Sequence, residues 1–161
     1  MIRKATLDDA AAITRIYNPF VTDTTVTFET VPVSVDEMRR RIAEISAQYP
    51  YYVWQDDAGE VTGYCYVHAW KPRAAYAYTY EVTIYLAPEA QGQGIGRQMI
   101  SLLIDESRLL GAQALIACIT EGNEHSIRLH RSMGFEQVSH FRKVGRKFGQ
   151  VLDVVDLELV L

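Results

Sequence analysis

The segment Gln91-Gly92-Gln93-Gly94-Ile95-Gly96 constrains the fold more than any other stretch of the chain. It lies between a β-rich run, Ala74–Ala87, closed by Pro88, and an amphipathic run, Arg97–Leu110, closed by Gly111. Alternate glycines let a backbone approach a ligand closely and adopt conformations that side chains forbid. A strand, a loop of free N–H groups and a helix N-terminus together make an anion site. A phosphate-bearing cofactor is its natural occupant. A Walker loop requires Gly-Lys-Ser/Thr at its end, whereas Gly96 is followed by Arg97-Gln98. A Rossmann fingerprint requires GxGxxG after the first strand, and this GxGxG lies deep in the chain.

The flanking residues predict a mixed α/β fold, a sheet flanked by helices. Ile2–Ala5 reads as a strand. Thr6, followed by Asp8 and Asp9, caps a helix that runs to Tyr17, where Asn18-Pro19 breaks it. Ser34 caps a second helix, Val35–Ala47, with Glu37 completing a capping box. Tyr51–Gln55 and Val61–Ala69 read as a hairpin around Asp56-Asp57-Ala58-Gly59. A basic break, Trp70-Lys71-Pro72-Arg73, precedes the long strand Ala74–Ala87. After the glycine loop come a helix, a strand Leu115–Thr120, a helix Asn123–Met133 ended by Gly134, and strands to Leu161.

The chain has 161 residues, of which 48% are hydrophobic and 22% charged, the makeup of one globular domain spanning 1–161. A chain of this length buries roughly 70% of its unfolded surface and needs no metal or disulfide to hold a core. A net charge of −4 argues against a nucleic-acid partner, which requires a basic footprint. No apolar run approaches the ~20 residues of a membrane span. The N-terminus, Met1-Ile2-Arg3-Lys4, does not read as a signal-peptide core. Cys65 and Cys118 form neither a CxxC pair nor a disulfide framework, so both read as buried apolar residues of a cytoplasmic protein. The four histidines lack metal-ligand spacing, and no metal is expected.

With these landmarks the chain resembles the GCN5-related N-acetyltransferases (GNAT). Their pyrophosphate loop is matched by Gln91, Gly94 and Gly96 after Tyr85-Leu86-Ala87-Pro88. Their Asn-led helix closing on Gly-Phe is matched by Asn123 to Gly134-Phe135. The likeness narrows to the phosphinothricin and methionine sulfoximine acetyltransferase branch over nearly the whole chain. Thr25 to Thr30, Trp70 to Arg73, Tyr80 to Tyr85, Ser126 to His130, Val144 to Gly149 and Asp153 carry it. Val151 stands where that branch usually has Trp.

The resemblance implies acetyl transfer from acetyl-CoA to the α-amino group of a small amino-acid-like amine. Such an amine is mostly protonated at neutral pH and needs a base. Glu81 is the only charge between Ala74 and Ala87, and strand periodicity sets it with Thr79 and Thr83. By pattern alone it is an exposed strand acid or a buried base, and the branch places the catalytic Glu here. His130 occupies the register where many relatives carry a Tyr that protonates the thiolate. It either donates that proton, assists deprotonation or is structural. His125 and His140 read as surface residues.

The resemblance assigns backbone groups of Ile84, Tyr85 and Leu86 to the pantetheine arm, with the Leu86 N–H near the thioester oxygen. Gln91, Gly92, Gln93, Gly94, Ile95, Gly96 and Arg97 take the phosphates, and Asn123 and Ser126 add polar contacts. Lys71 and Arg73 are candidates for a substrate carboxylate. Phe28, Glu29 and Thr83 border the same pocket. A homodimer is expected from the apolar tail Val151–Leu161 and the family habit. The competing readings are a protein N-terminal or lysine acetyltransferase and a non-catalytic CoA sensor. A purely structural module leaves the glycine loop unexplained.

Overall fold

The computed structural model describes residues 1–161. Its strands are β1 (Ile2–Lys4), β2 (Tyr51–Gln55), β3 (Val61–Ala69), β4 (Thr79–Leu86), β5 (Ala114–Thr120), β6 (Glu136–Lys147) and β7 (Gln150–Val160). Its helices are α1 (Ala10–Asp23), α2 (Val35–Ser46), α3 (Ile95–Leu109) and α4 (Glu124–Ser132). The seven strands form one sheet in the order β1-β2-β3-β4-β5-β7-β6. Only β4 and β5 run parallel. This is the expected mixed sheet flanked by helices. None of its helices is long and apolar enough to cross a membrane.

Period-two alternation sorts the core into two layers. Tyr51, Val53 and Tyr64 face α1 and α2, packing with Ile13, Val21, Met38 and Ile42. Tyr52, Cys65, Val67 and Val82 face the other way, against Met99, Ile100 and Leu103 of α3 and Ile127 of α4. The α1/α2 layer takes no residue from β5, β6 or β7. On that uncovered half Cys118 reaches solvent, contrary to the buried position expected of it, while Cys65 is buried.

Three segments differ from expectation. Helix α1 does not break at Asn18-Pro19 but runs through Pro19 to Asp23. Pro19 leaves the Arg15 carbonyl without its helical donor, and both residues lie on the exposed face, where water serves instead. Asn18 ties the helix down, accepting from the Val33 N–H and donating to its carbonyl, both at 2.9 Å. The run Ala74–Ala87 is not all strand. Ala74–Tyr76 is a 3-10 turn, and β4 begins at Thr79. The turn is held by Tyr76 N–H to Arg73 O at 2.9 Å and by Trp70 meeting Tyr76 edge-on at 5.2 Å. Helix α3 starts at Ile95 rather than Arg97, because Gly94 (φ 77°) turns the chain so that Ile95 and Gly96 pack inside.

The β6–β7 hairpin turns through Phe148 and Gly149, both with positive φ (52° and 71°), as a two-residue I′ turn requires. His140 is a surface residue, as expected, and it has a partner. Its Nε2 lies 2.8 Å from Asp153, whose other oxygen accepts the Lys143 N–H at 2.8 Å and so steadies the bulge in β6. Lys147 is 4% exposed and donates to the carbonyls of Thr27 (2.9 Å) and Phe20 (3.3 Å), pinning the last turns of α1 and the α1–α2 connection to the hairpin. Replacing Lys147 with Met removes the donor from both carbonyls. The expected cost is about 1–3 kcal/mol, read as a lower urea midpoint; an unchanged midpoint contradicts this role.

Candidate active site

Strands β4 and β5 pair only over Thr79–Glu81 and Ala114–Ile116. Beyond Glu81 they part, while β4 stays paired to β3 and β5 to β7. The gap is a cleft of about 320 Å³ lined by Glu81 to Leu86 on one wall and Ala117, Cys118 and Ile119 on the other. The β4 backbone alternates across it. Tyr78 O accepts from Gln113 on the β5 side, and Thr79 O from Trp70 on the β3 side. Even-numbered residues therefore turn their backbone groups toward the gap, so Ile84 and Leu86 present unpaired N–H groups there. Tyr85 does not follow its expected role: its backbone faces Tyr64 on β3, and only its side chain is left to face the cleft. Gln91 closes the far end, donating to the Leu86 carbonyl at 3.2 Å.

At that end lies the glycine loop. The backbone N–H groups of residues 92–97 have no partner in the protein, and the first helical bond is Gln98 N–H to Gly94 O at 3.2 Å. Open space surrounds the positions where a Cβ would stand on Gly92 (φ 73°) and Gly94 (φ 77°). Six bare donors at a helix N-terminus form an anion cradle. Gly96 serves packing instead: a Cβ there would lie 3.0 Å from Leu129 on α4. Arg97 is exposed on the first turn of α3, its guanidinium 3.4 Å from the Ser132 hydroxyl.

The opposite lip is α4. Asn123 caps the helix, accepting from Ser126 N–H at 3.4 Å, and both residues line the cleft. His125, a surface residue as expected, lines the cleft as well. His130 lies one turn deeper, 2% exposed, with its ring edge-on to Phe135. Its Nδ1 donates to the Ser126 carbonyl at 2.9 Å, and Nε2 is buried without a partner. Burial holds the imidazole below its ordinary pKa, so His130 is neutral with an acceptor at Nε2.

A second cavity, about 170 Å³, opens behind β4. Tyr51, Tyr64, Tyr66 and Tyr17 line it with Glu29, Arg41 and His68. Glu81, Thr83 and Tyr85 border both cavities, so Glu81 stands in the wall between them. Its pKa is raised, first by burial and then by the charge of Asp156, against the opposing pull of His68. Glu29 is not free to act as a lone charge: Arg41 grips it at 2.6 and 2.9 Å, and the Tyr17 hydroxyl donates to it. Phe28 is 40% exposed and packs on Gly145, outside both cavities. Lys71 and Arg73 also line neither; the Lys71 ammonium lies 4.0 Å over the Trp70 ring. Cys118 reaches solvent from the cleft wall, where partial burial and then the charges of Glu81 and Asp156 push its thiol up to about 12, which makes it a poor nucleophile.

Arg41, Asp156 and His68 are the functional surroundings that sequence reasoning missed. Asp156 carries a readable signal, an acid between the buried Val155 and Leu157 of an alternating strand. His68 shows itself only through the hairpin register that sets it opposite Glu81.

Residues 2–155 match the acetyltransferase (GNAT) domain family, and the chain belongs to that family. It is an N-acetyltransferase. It is 41% identical over 150 residues to the phosphinothricin N-acetyltransferase of Alcaligenes faecalis, covering 92% of this chain and 76% of that protein. It is 39% identical to the L-methionine sulfoximine/L-methionine sulfone acetyltransferase of Salmonella typhimurium, covering 99% and 94%. The crystal structure of a phosphinothricin acetyltransferase from Sinorhizobium meliloti in complex with acetyl-CoA superposes with a TM-score of 0.97 at 38% identity, covering 100% and 88%. Acetyl-CoA is the co-substrate that GNAT enzymes use.

If Asp156 raises Glu81 through its charge, Asp156→Asn moves the Glu81 carboxyl titration to lower pH. Carbon-13 NMR of the carboxyl carbon reads this directly, and a shift to higher pH contradicts the assignment.

Proposed function

We propose that this enzyme transfers acetyl from acetyl-CoA to the α-amino group of a small amino-acid analogue of the phosphinothricin or methionine sulfoximine kind, with Glu81 as general base. The observation that carries this reading is the position of Glu81 in the wall between the two cavities. The cleft fits the co-substrate: six bare N–H groups suit a pyrophosphate, and the unpaired edge of β4 suits an extended, amide-bearing arm. The orphaned Nε2 of His130 adds one acceptor among the cleft residues. Acetyl-CoA supplies an acetyl group activated as a thioester.

The tyrosine cavity suits the amine. Its charged groups are Glu81, Glu29 and Arg41, and with Glu29 and Arg41 paired the surplus is negative, which favours an ammonium. Burial raises the phenols of Tyr51, Tyr64 and Tyr85, so they stay neutral and can donate to sulfone, sulfoximine or phosphinate oxygens. A volume of about 170 Å³ favours one small molecule over a length of peptide, which separates this reading from a protein acetyltransferase. Glu81, made more basic by its surroundings, takes a proton from the ammonium, and the amine then attacks from the tyrosine side; as the N–C bond forms and the thioester C–S bond breaks, the second N–H proton goes to the departing thiolate. The Leu86 N–H, facing the gap, donates to the oxygen on which negative charge grows. His130, neutral and bare at Nε2, accepts rather than donates at neutral pH.

We also assign a homodimer. Val138, Phe141, Val144, Phe148 and Val151 on the β6–β7 hairpin are each more than half exposed, an apolar load that a lone subunit leaves in water. Free thiols at Cys65 and Cys118 fit a reducing cytoplasmic setting.

The test is thiol release from acetyl-CoA across phosphinothricin, methionine sulfoximine, methionine sulfone, common amino acids and short peptides. Glu81→Gln is expected to lower turnover on the analogues about a hundredfold or more, with acetyl-CoA affinity unchanged. Unchanged turnover removes Glu81 as base, and release with peptides alone reassigns the substrate class. Light scattering tests the assembly: twice the chain mass is expected, and a monomer refutes it.

A further inference from the structure

We propose that His68 is a positioning residue for the reaction, taking the proton that Glu81 collects and passing it to solvent. The inference rests on the reading of Glu81 as base. Hairpin register sets His68 directly across from Glu81 on the same face of the sheet, and both line the tyrosine cavity. The imidazole is oriented for this use. Its Nδ1 lies 2.8 Å from the Ala69 carbonyl, which can only accept, so Nδ1 holds a proton. The neutral ring therefore presents the lone pair of Nε2 to Glu81, 3.9 Å from Oε1. One bridging water or a small rotation of the carboxyl closes that distance.

Acetylation of an ammonium releases a proton overall, and Glu81 must be emptied before each turnover. Its side chain is 28% exposed and flanked by Asp156, whereas the ring of His68 is 35% exposed. An ammonium N–H bond breaks as a Glu81 O–H forms; that O–H breaks as Nε2–H forms on His68; the imidazolium then gives a proton to water at its exposed edge, while the second N–H proton, lost as the N–C bond forms and the thioester C–S bond breaks, goes to the departing thiolate. The other groups around the ring do not compete. Tyr66, 5.9 Å away ring to ring, has its phenol raised by burial, and Glu29 is held as a carboxylate by Arg41. Histidine is the side chain suited to shuttling protons at neutral pH.

The test uses His68→Asn, with His68→Gln as the second variant should the first fold poorly, and methionine sulfone as the amine. The expected result is a kcat lowered about tenfold with KM for acetyl-CoA unchanged. Added imidazole, at fixed pH and ionic strength, restores kcat in the variants and leaves the wild type unmoved. A structural role would not respond to a soluble proton carrier. A readout independent of turnover is the Glu81 carboxyl titration by carbon-13 NMR. It moves to higher pH in His68→Asn, because the pull of His68 that favours the carboxylate is removed. Wild-type kcat in both variants, or a lowered kcat that imidazole does not rescue, overturns the relay while Glu81 stands as base. If Glu81→Gln turns over as fast as wild type, the base reading fails first and the relay with it.

Discussion

The parting of β4 from β5 after Glu81 is the constraint on which the rest of the molecule depends. A sheet interior normally satisfies every N–H and C=O, and a gap in it is costly unless something fills it. Here the gap is maintained from outside. β3 holds β4 along its whole length, β7 holds β5 along its whole length, and the α3 and α4 layers pack beneath the two separated strands. Thr120 at the end of β5 bonds the carbonyls of Thr25 and Val26, which seats the connection after α1 over the opening. The unpaired edge is thus built into the fold and positioned to be completed by an extended ligand.

That opening sets the chemistry of Glu81, the last β4 residue to pair with β5. It belongs to the sheet on one side and to the gap on the other, with the tyrosine cavity behind it. Burial and Asp156 make its carboxylate a stronger base, while His68 restrains the same effect. Two acidic groups close together in a half-buried wall are unfavourable by themselves. Under the proposed function an arriving ammonium would relieve that cost.

The glycine loop and the Asn123 helix were readable from the chain as local patterns, a spacing and a cap; Glu81 stood out as one charge in an apolar run, and only the family resemblance attached a role to it. The unread parts depend on tertiary placement. Pro19 looks like a helix end, yet it ends nothing when its missing donor faces water. The run from Ala74 looks like strand until Trp70 and Tyr76 pack into a corner and turn it. Lys71 and Arg73 read as carboxylate ligands from their spacing, but that corner carries them away from both cavities of this chain. Arg41 does reach the second cavity, from a helix whose other arginines are ordinary surface charges. His68 becomes meaningful only once the β3–β4 register is known, and Asp156 only once β7 lies beside β5.

The central claim is that the gap and the glycine loop form one continuous site for acetyl-CoA. Backbone amide hydrogen exchange, followed with and without acetyl-CoA, tests it most directly. The account predicts strong added protection at Ile84, Leu86 and residues 92–97, with the paired amides of β2 unchanged. Protection absent from those positions, or concentrated elsewhere in the sheet, would contradict it.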